Sequence, residues 1–152
     1  MRKRTVGREV ALQLLYQIDL RGDEVMNELE ACLAEALEAL DSPEEPAGEV
    51  ATFARELVTG WWEHRKEIDE KIETAAKNWQ LKRMAVIDRN ILRLATFEIL
   101  FRADIPPLVS INEAIDMAKK FSTPQSGRFV NGILDNIRLT WAPPAKKNTG
   151  RK

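Results

Sequence analysis

The chain has 152 residues, 44% of them hydrophobic, and a net charge of −1, which suits one ordinary domain that buries its core without metal or cross-links. Its one cysteine, Cys32, excludes an internal disulfide and fits a reducing cytoplasm. The start, MRKRTVGREV, runs into a pattern broken by Gln13, Gln17 and Asp19, unlike a signal peptide, and no run approaches the roughly 20 apolar residues that cross a bilayer.

Helix is the dominant signal along the whole chain, and nothing reads as a strand. From Thr5 to about Leu20, Val10, Ala11, Leu14, Leu15 and Ile18 recur at helical spacing as one core stripe. Arg4, Arg8, Leu12 and Tyr16 form a second row at i, i+4 spacing, so basic side chains lead along it to an aromatic ring. The near-neutral total charge hides an asymmetry here. Arg2, Lys3, Arg4 and Arg8 fall in the first eight residues, and Lys146, Lys147, Arg151 and Lys152 in the last seven. The rest carries 15 basic residues against all 24 acids, about −9. The overall charge therefore does not exclude a polyanionic partner, because clustering decides binding.

A second, strongly acidic helix spans about Glu24–Leu40, followed by the breaking loop DSPEEPAGE. A third runs from about Ala47 to Ala76, straight or with a bend, apolar through Val50, Phe53, Ala54, Leu57, Val58 and Trp61, with its middle weakened as a helix by Gly60 and the dense charge around Trp62–Lys71. The fourth, about Val86–Arg102, is apolar on two sides and is expected at the centre, packed by several neighbours. Asp88 is placed to cap it, and Glu98 to pair with Arg102 at i+4. Pro106-Pro107 ends it. Ser110-Ile-Asn-Glu113 then reads as a capping box opening a fifth helix that exposes Lys119 and Lys120. Pro124 breaks this helix, and a last one starts near Ser126. The expectation is an all-α bundle of six to seven helices around one buried helix. It forms a single domain over residues 1–141, with a basic, disordered tail over 142–152.

Catalytic chemistry is missing from the pattern. The only histidine, His64, has no serine or cysteine nucleophile at a supporting spacing. One Cys and one His are too few for a zinc site. Gly127-Arg-Phe-Val-Asn-Gly132 lacks the lysine and preceding strand of a phosphate loop. No catalytic residue, metal or cofactor is expected.

Three segments together are specific: the arginine-rich start with REVALQLLYQ at Arg8–Gln17, WQLKRMAVIDRNILRLATFEIL at Trp79–Leu100, and INEAIDMAKKF at Ile111–Phe121 followed by SGRFVNGILD at Ser126–Asp135. In content and order they resemble the NusB family over nearly the whole chain. The resemblance implies a compact all-α fold and a non-catalytic, cytoplasmic factor. It would pair with NusE, a small-subunit ribosomal protein, and bind the boxA element of nascent RNA. In doing so it would help RNA polymerase pass terminators, notably in ribosomal RNA operons. Carried over position by position, the RNA-binding candidates are Arg2, Lys3, Arg4, Arg8, Tyr16, Ser126, Arg128, Phe129 and Asn131. Where an acidic residue is common in the family, the loop Ser122–Gln125 has none.

The residues support such a site on their own terms. Single-stranded RNA is held by cations that track phosphates and flat rings that stack on bases, and Arg4, Arg8 and Tyr16 place both on one row. Phe129 sits at the edge of its helix's core row, where it either flanks the core or reaches a base. Lys119 and Lys120 either add phosphate contacts or belong to a solvated face. Asp88, Arg89 and Arg93, on the least apolar sector of the central helix, are the candidate NusE contacts. Two other readings stay open. One is a helical scaffold or homodimer with weak, unselective RNA binding. The other is a relative of the RNA-binding attachment found at the N-terminus of certain ribosomal RNA cytosine methyltransferases.

Overall fold

The computed structural model describes residues 2–143, so most of the expected basic tail lies outside the described residues. Among them are six α-helices and no strand: α1 Arg2–Arg21, α2 Leu29–Glu38, α3 Glu49–Ala75, α4 Val86–Phe101, α5 Pro107–Phe121 and α6 Ser126–Trp141. None is long and apolar enough to cross a membrane.

Helix α1 buries Val10, Ala11, Leu14, Leu15 and Ile18, the stripe expected from the sequence. It also takes in Arg2–Arg4, so the basic start is helical rather than a free arm. Gly22 ends it at φ 101°, a backbone region that favours glycine. That reversal leaves the Val25 N–H donating to the Gly22 carbonyl at 3.2 Å, a tight i→i−3 bond. The expected second helix consequently splits into a 3-10 turn over Asp23–Glu28 and the shorter α2.

Helix α3 is bent, one of the two forms its sequence leaves open. His64 leaves helical geometry (φ −115°, ψ 16°), and its ring stacks on Phe101 of α4 at 3.9 Å between centroids. One turn earlier, the missing side chain of Gly60 gives room to the Phe97 ring, into which a Cβ would intrude. Gly60→Ala should therefore destabilise by roughly 1–3 kcal/mol, despite gaining about 1 kcal/mol in helix propensity. Chemical denaturation checks this, and adding Phe97→Leu should recover part of the loss.

Helix α4 packs against α1, α3, α5 and α6, which makes it the central helix expected from its two apolar sides. It buries Ile91, Leu92, Leu94, Ala95, Phe97 and Ile99, and also the polar Asn90, Thr96 and Glu98. Its N-cap is Ala85, so Asp88 lies inside the first turn and is not the cap. There its charge still complements the helix dipole.

Helix α5 corrects the expected capping box. Pro106 is extended and Pro107 occupies the first helical position, which its fixed φ suits. The helix thus starts three residues before Ser110. The Ser110 hydroxyl, freed from capping, donates to Glu98 Oε1 at 2.7 Å.

Candidate nucleic-acid interface

The basic start of α1 divides into two kinds of residue. Arg8 is only 3% exposed. Its Nε and Nη2 donate to the two carboxylate oxygens of Glu98 at 2.8 and 2.9 Å, and Nη1 lies 3.4 Å from Glu113. Thr5 donates to the same Glu113 oxygen at 2.9 Å, and the Arg8 guanidinium stands over the Phe53 ring. A forked, charge-assisted pair of this kind ties α1, α4 and α5 together. Two expectations change as a result. Arg8 is inside the protein and does not present its charge to a ligand. Glu98 does not pair with Arg102, which instead bonds Asp104 and Glu56. Both errors have one cause, a partner 90 residues away in sequence that local spacing cannot reveal.

The remaining cations lie outside. Arg2 and Lys3 are exposed at the start of α1, and with Lys120 they line one cleft. Lys120 reaches α1 by an ion pair to Glu9 at 3.0 Å. Its neighbour Lys119 turns the other way, with its Cγ 3.6 Å from where a Cβ on Gly127 of α6 would stand. The last turn of α5 therefore bridges the start of α1 and the start of α6. Arg128 and Asn131 are exposed on α6, which continues the basic line from Arg2 and Lys3 through Lys120 and Lys119 to Arg128. Arg4 sits beside this line, half-exposed, against Asp104 at 3.4 Å and over Phe53 at 4.7 Å. Tyr16 is 42% exposed further along α1.

Near the end of this line an aromatic pair forms a shallow groove. Phe129 and Trp79 meet edge to face at 5.4 Å, and the lining also includes Arg83, Met84, Asp88, Thr123, Gln125 and Ser126. Trp79 is not among the sequence candidates, and its conformation cannot be read from periodicity. It follows two successive left-handed residues, Lys77 (φ 57°) and Asn78 (φ 68°). The Asn78 N–H donates to the Glu73 carbonyl, and the Glu73 side chain accepts from the Leu81 N–H at 2.8 Å. The connector is thereby stapled at both ends and holds Trp79 outward, 48% exposed. Ser126, by contrast, is buried. Its hydroxyl donates to Asp88 Oδ2 at 3.0 Å and so fixes the start of α6 on the start of α4. It shapes the groove and offers nothing to a ligand.

The NusB family matches residues 5–138. The transcription antitermination protein NusB of Geobacter sulfurreducens is 49% identical over 140 residues, covering 92% of this chain and 96% of that protein.

The chain belongs to the NusB family.

NusB of Myxococcus xanthus is 45% identical over 148 residues, 95% of this chain and 100% of that protein. Among solved structures, NusB of T. maritima superposes with a TM-score of 0.78 at 40% identity, covering 92% of this chain and 93% of that one. The NusB of a structure of antitermination factors NusB and NusE in complex with dsRNA superposes at 0.79 with 29% identity, covering 93% and 99%. The NusB fold is thus shown, and the family role is transcription antitermination, a non-catalytic one.

The NusB core also accounts for the three residues expected to meet a partner. Asp88 is 8% exposed and bonded to Ser126. Arg89 Nε donates to Asp19 at 3.0 Å. Arg93 holds Asp69 by two hydrogen bonds and also reaches Asp19. All three serve to join α4 to its neighbours, with Asp88 buried and Arg89 and Arg93 partly exposed. Burial pushes the Asp19 carboxyl up, but hydrogen bonds from Arg89 and Asn90 and the charge of Arg93 outweigh it and leave it below its usual range. At Asp69 burial wins over Arg93 and the carboxyl is raised.

Proposed function

We propose that this protein is an RNA-binding adaptor of antitermination that works in the cytoplasm as a heterodimer with NusE and selects the boxA element of nascent RNA. The observation that carries the reading is the basic line from α1 across the last turn of α5 to α6, with the Trp79–Phe129 groove, lined also by Arg83, at the start of α6. Cations spaced along one surface suit the phosphates of a single strand, and exposed rings suit its bases. The revised RNA-facing set is Arg2, Lys3, Arg4, Tyr16, Trp79, Lys119, Lys120, Arg128, Phe129 and Asn131. Family membership and the NusB–NusE–dsRNA structure support the choice of partners. Each surface alone binds weakly, and joining two proteins on one RNA raises affinity by effective concentration.

Fluorescence anisotropy with boxA and scrambled RNA, with and without NusE, tests the proposal. The expected result is boxA-selective binding strengthened by NusE and weakened by salt. Equal, weak binding to both RNAs with NusE present would instead favour a scaffold or homodimer.

A further inference from the structure

The basic line is already met by acids of the same chain. The segment between α2 and α3 folds against the start of α1, where Asp41, Ser42 and Glu44 line the same cleft as Arg2, Lys3 and Lys120. Glu44 Oε1 stands 3.9 Å from Lys3 Nζ, and Glu9 holds Lys120 from the other wall. The segment does not hang free. Its far end is fixed by Arg55, which donates to the Pro46 carbonyl at 3.2 Å and grips Glu30 of α2 with two further bonds. A carboxylate presents to a lysine what a phosphodiester presents, an anionic oxygen that accepts N–H bonds.

We propose that the Asp41–Glu44 segment is a built-in competitor for RNA phosphate, which a strand must displace from Lys3 before it seats on the basic line. The inference rests on the RNA-binding reading above and adds to it a control on that site. The competing ion pair is long and partly solvated, with Lys3 57% and Glu44 26% exposed, so it is weak. Weakness is what the role requires. Isolated phosphates and short encounters do not outlast it, whereas a strand also held at the aromatic groove does.

The test compares the full-length double variant Asp41→Asn/Glu44→Gln with wild type for binding of a short fluorescent single-stranded RNA, with NusE present. Affinity should rise about two- to fivefold at low salt, and the gain should shrink as salt screens the exposed charges. A control variant, Glu35→Gln/Glu38→Gln on the exposed side of α2, removes the same net charge elsewhere. In a Lys3→Ala background the gain should fall, because one cation of the pairing is gone. A gain confined to the first variant and dependent on Lys3 supports the competitor. No gain, or an equal gain in the control, overturns it and leaves RNA binding standing. Absence of RNA binding by every form, wild type included, overturns the RNA-binding reading itself.

Discussion

Arg8→Ala is expected to cost about 3–5 kcal/mol of stability, because it leaves the Glu98 carboxylate buried with its charge uncompensated. Among the described residues Glu98 would retain only the Ser110 hydroxyl as a side-chain donor, and the Arg8 fork that joins α1 to α4 would be gone. Against a total of roughly 5–15 kcal/mol for a domain of this kind, the loss should lower the melting temperature by roughly 6–20 °C. Arg8→Glu should be worse, since it sets like charges against each other inside the core. The informative companion is Arg8→Met/Glu98→Leu, which removes both charges and should recover much of the loss. Urea denaturation of wild type, Arg8→Met, Glu98→Leu and the double variant measures the coupling. If Arg8→Ala melts with wild type yet loses RNA, then Arg8 touches RNA and its burial is not its role.

Trp79→Ala and Phe129→Ala should each weaken RNA binding by about 1–3 kcal/mol per stacked base, roughly 5- to 150-fold. Neither should alter the slope of log affinity against log salt, because a ring releases no counterions. The triple variant Arg2→Ala/Lys3→Ala/Lys120→Ala should flatten that slope by about 0.7 for each phosphate it no longer neutralises. Titrations at several salt concentrations separate the two contributions. Trp79 is the cleaner probe of the rings, since it is half-exposed, whereas Phe129 also packs against the core and its variant needs a melting control. A Trp79→Ala protein that binds like wild type would remove the groove from the RNA surface.

How far the sequence carries depends on how local each feature is. The core stripes of α1 and α4 are legible, because helical periodicity acts within a few residues. The start of α5 is misread because Ser110–Glu113 satisfies the capping pattern. Pro107 satisfies a different rule three residues earlier, and Glu98 on another helix takes the serine hydroxyl. Arg4, Arg8 and Tyr16 share one row, but that row crosses from solvent into the interior and out again. Arg4 stays half-exposed and Arg8 does not, and only the packing of α4 and α5 decides where the boundary falls. Asp88, Arg89 and Arg93 look like a polar sector open to a partner, and nothing local shows that Ser126, Asp19 and Asp69 bond to it from three other elements. Trp79 escapes notice because its outward pose is set by left-handed backbone at Lys77 and Asn78, which side-chain periodicity does not encode.

The separation of Arg8 from the outer cations has an evolutionary consequence. Arg2, Lys3 and Lys120 are exposed residues, and substitutions among them leave the interior untouched. A lineage can therefore drift in RNA affinity by single steps at these positions, gaining or losing a cation without a folding defect. Positions 8, 98 and 110 form a locked set, in which any one change strands the others. Crossing between solutions there requires near-simultaneous replacements, so the interior arginine should act as a ratchet while the rim remains free to vary.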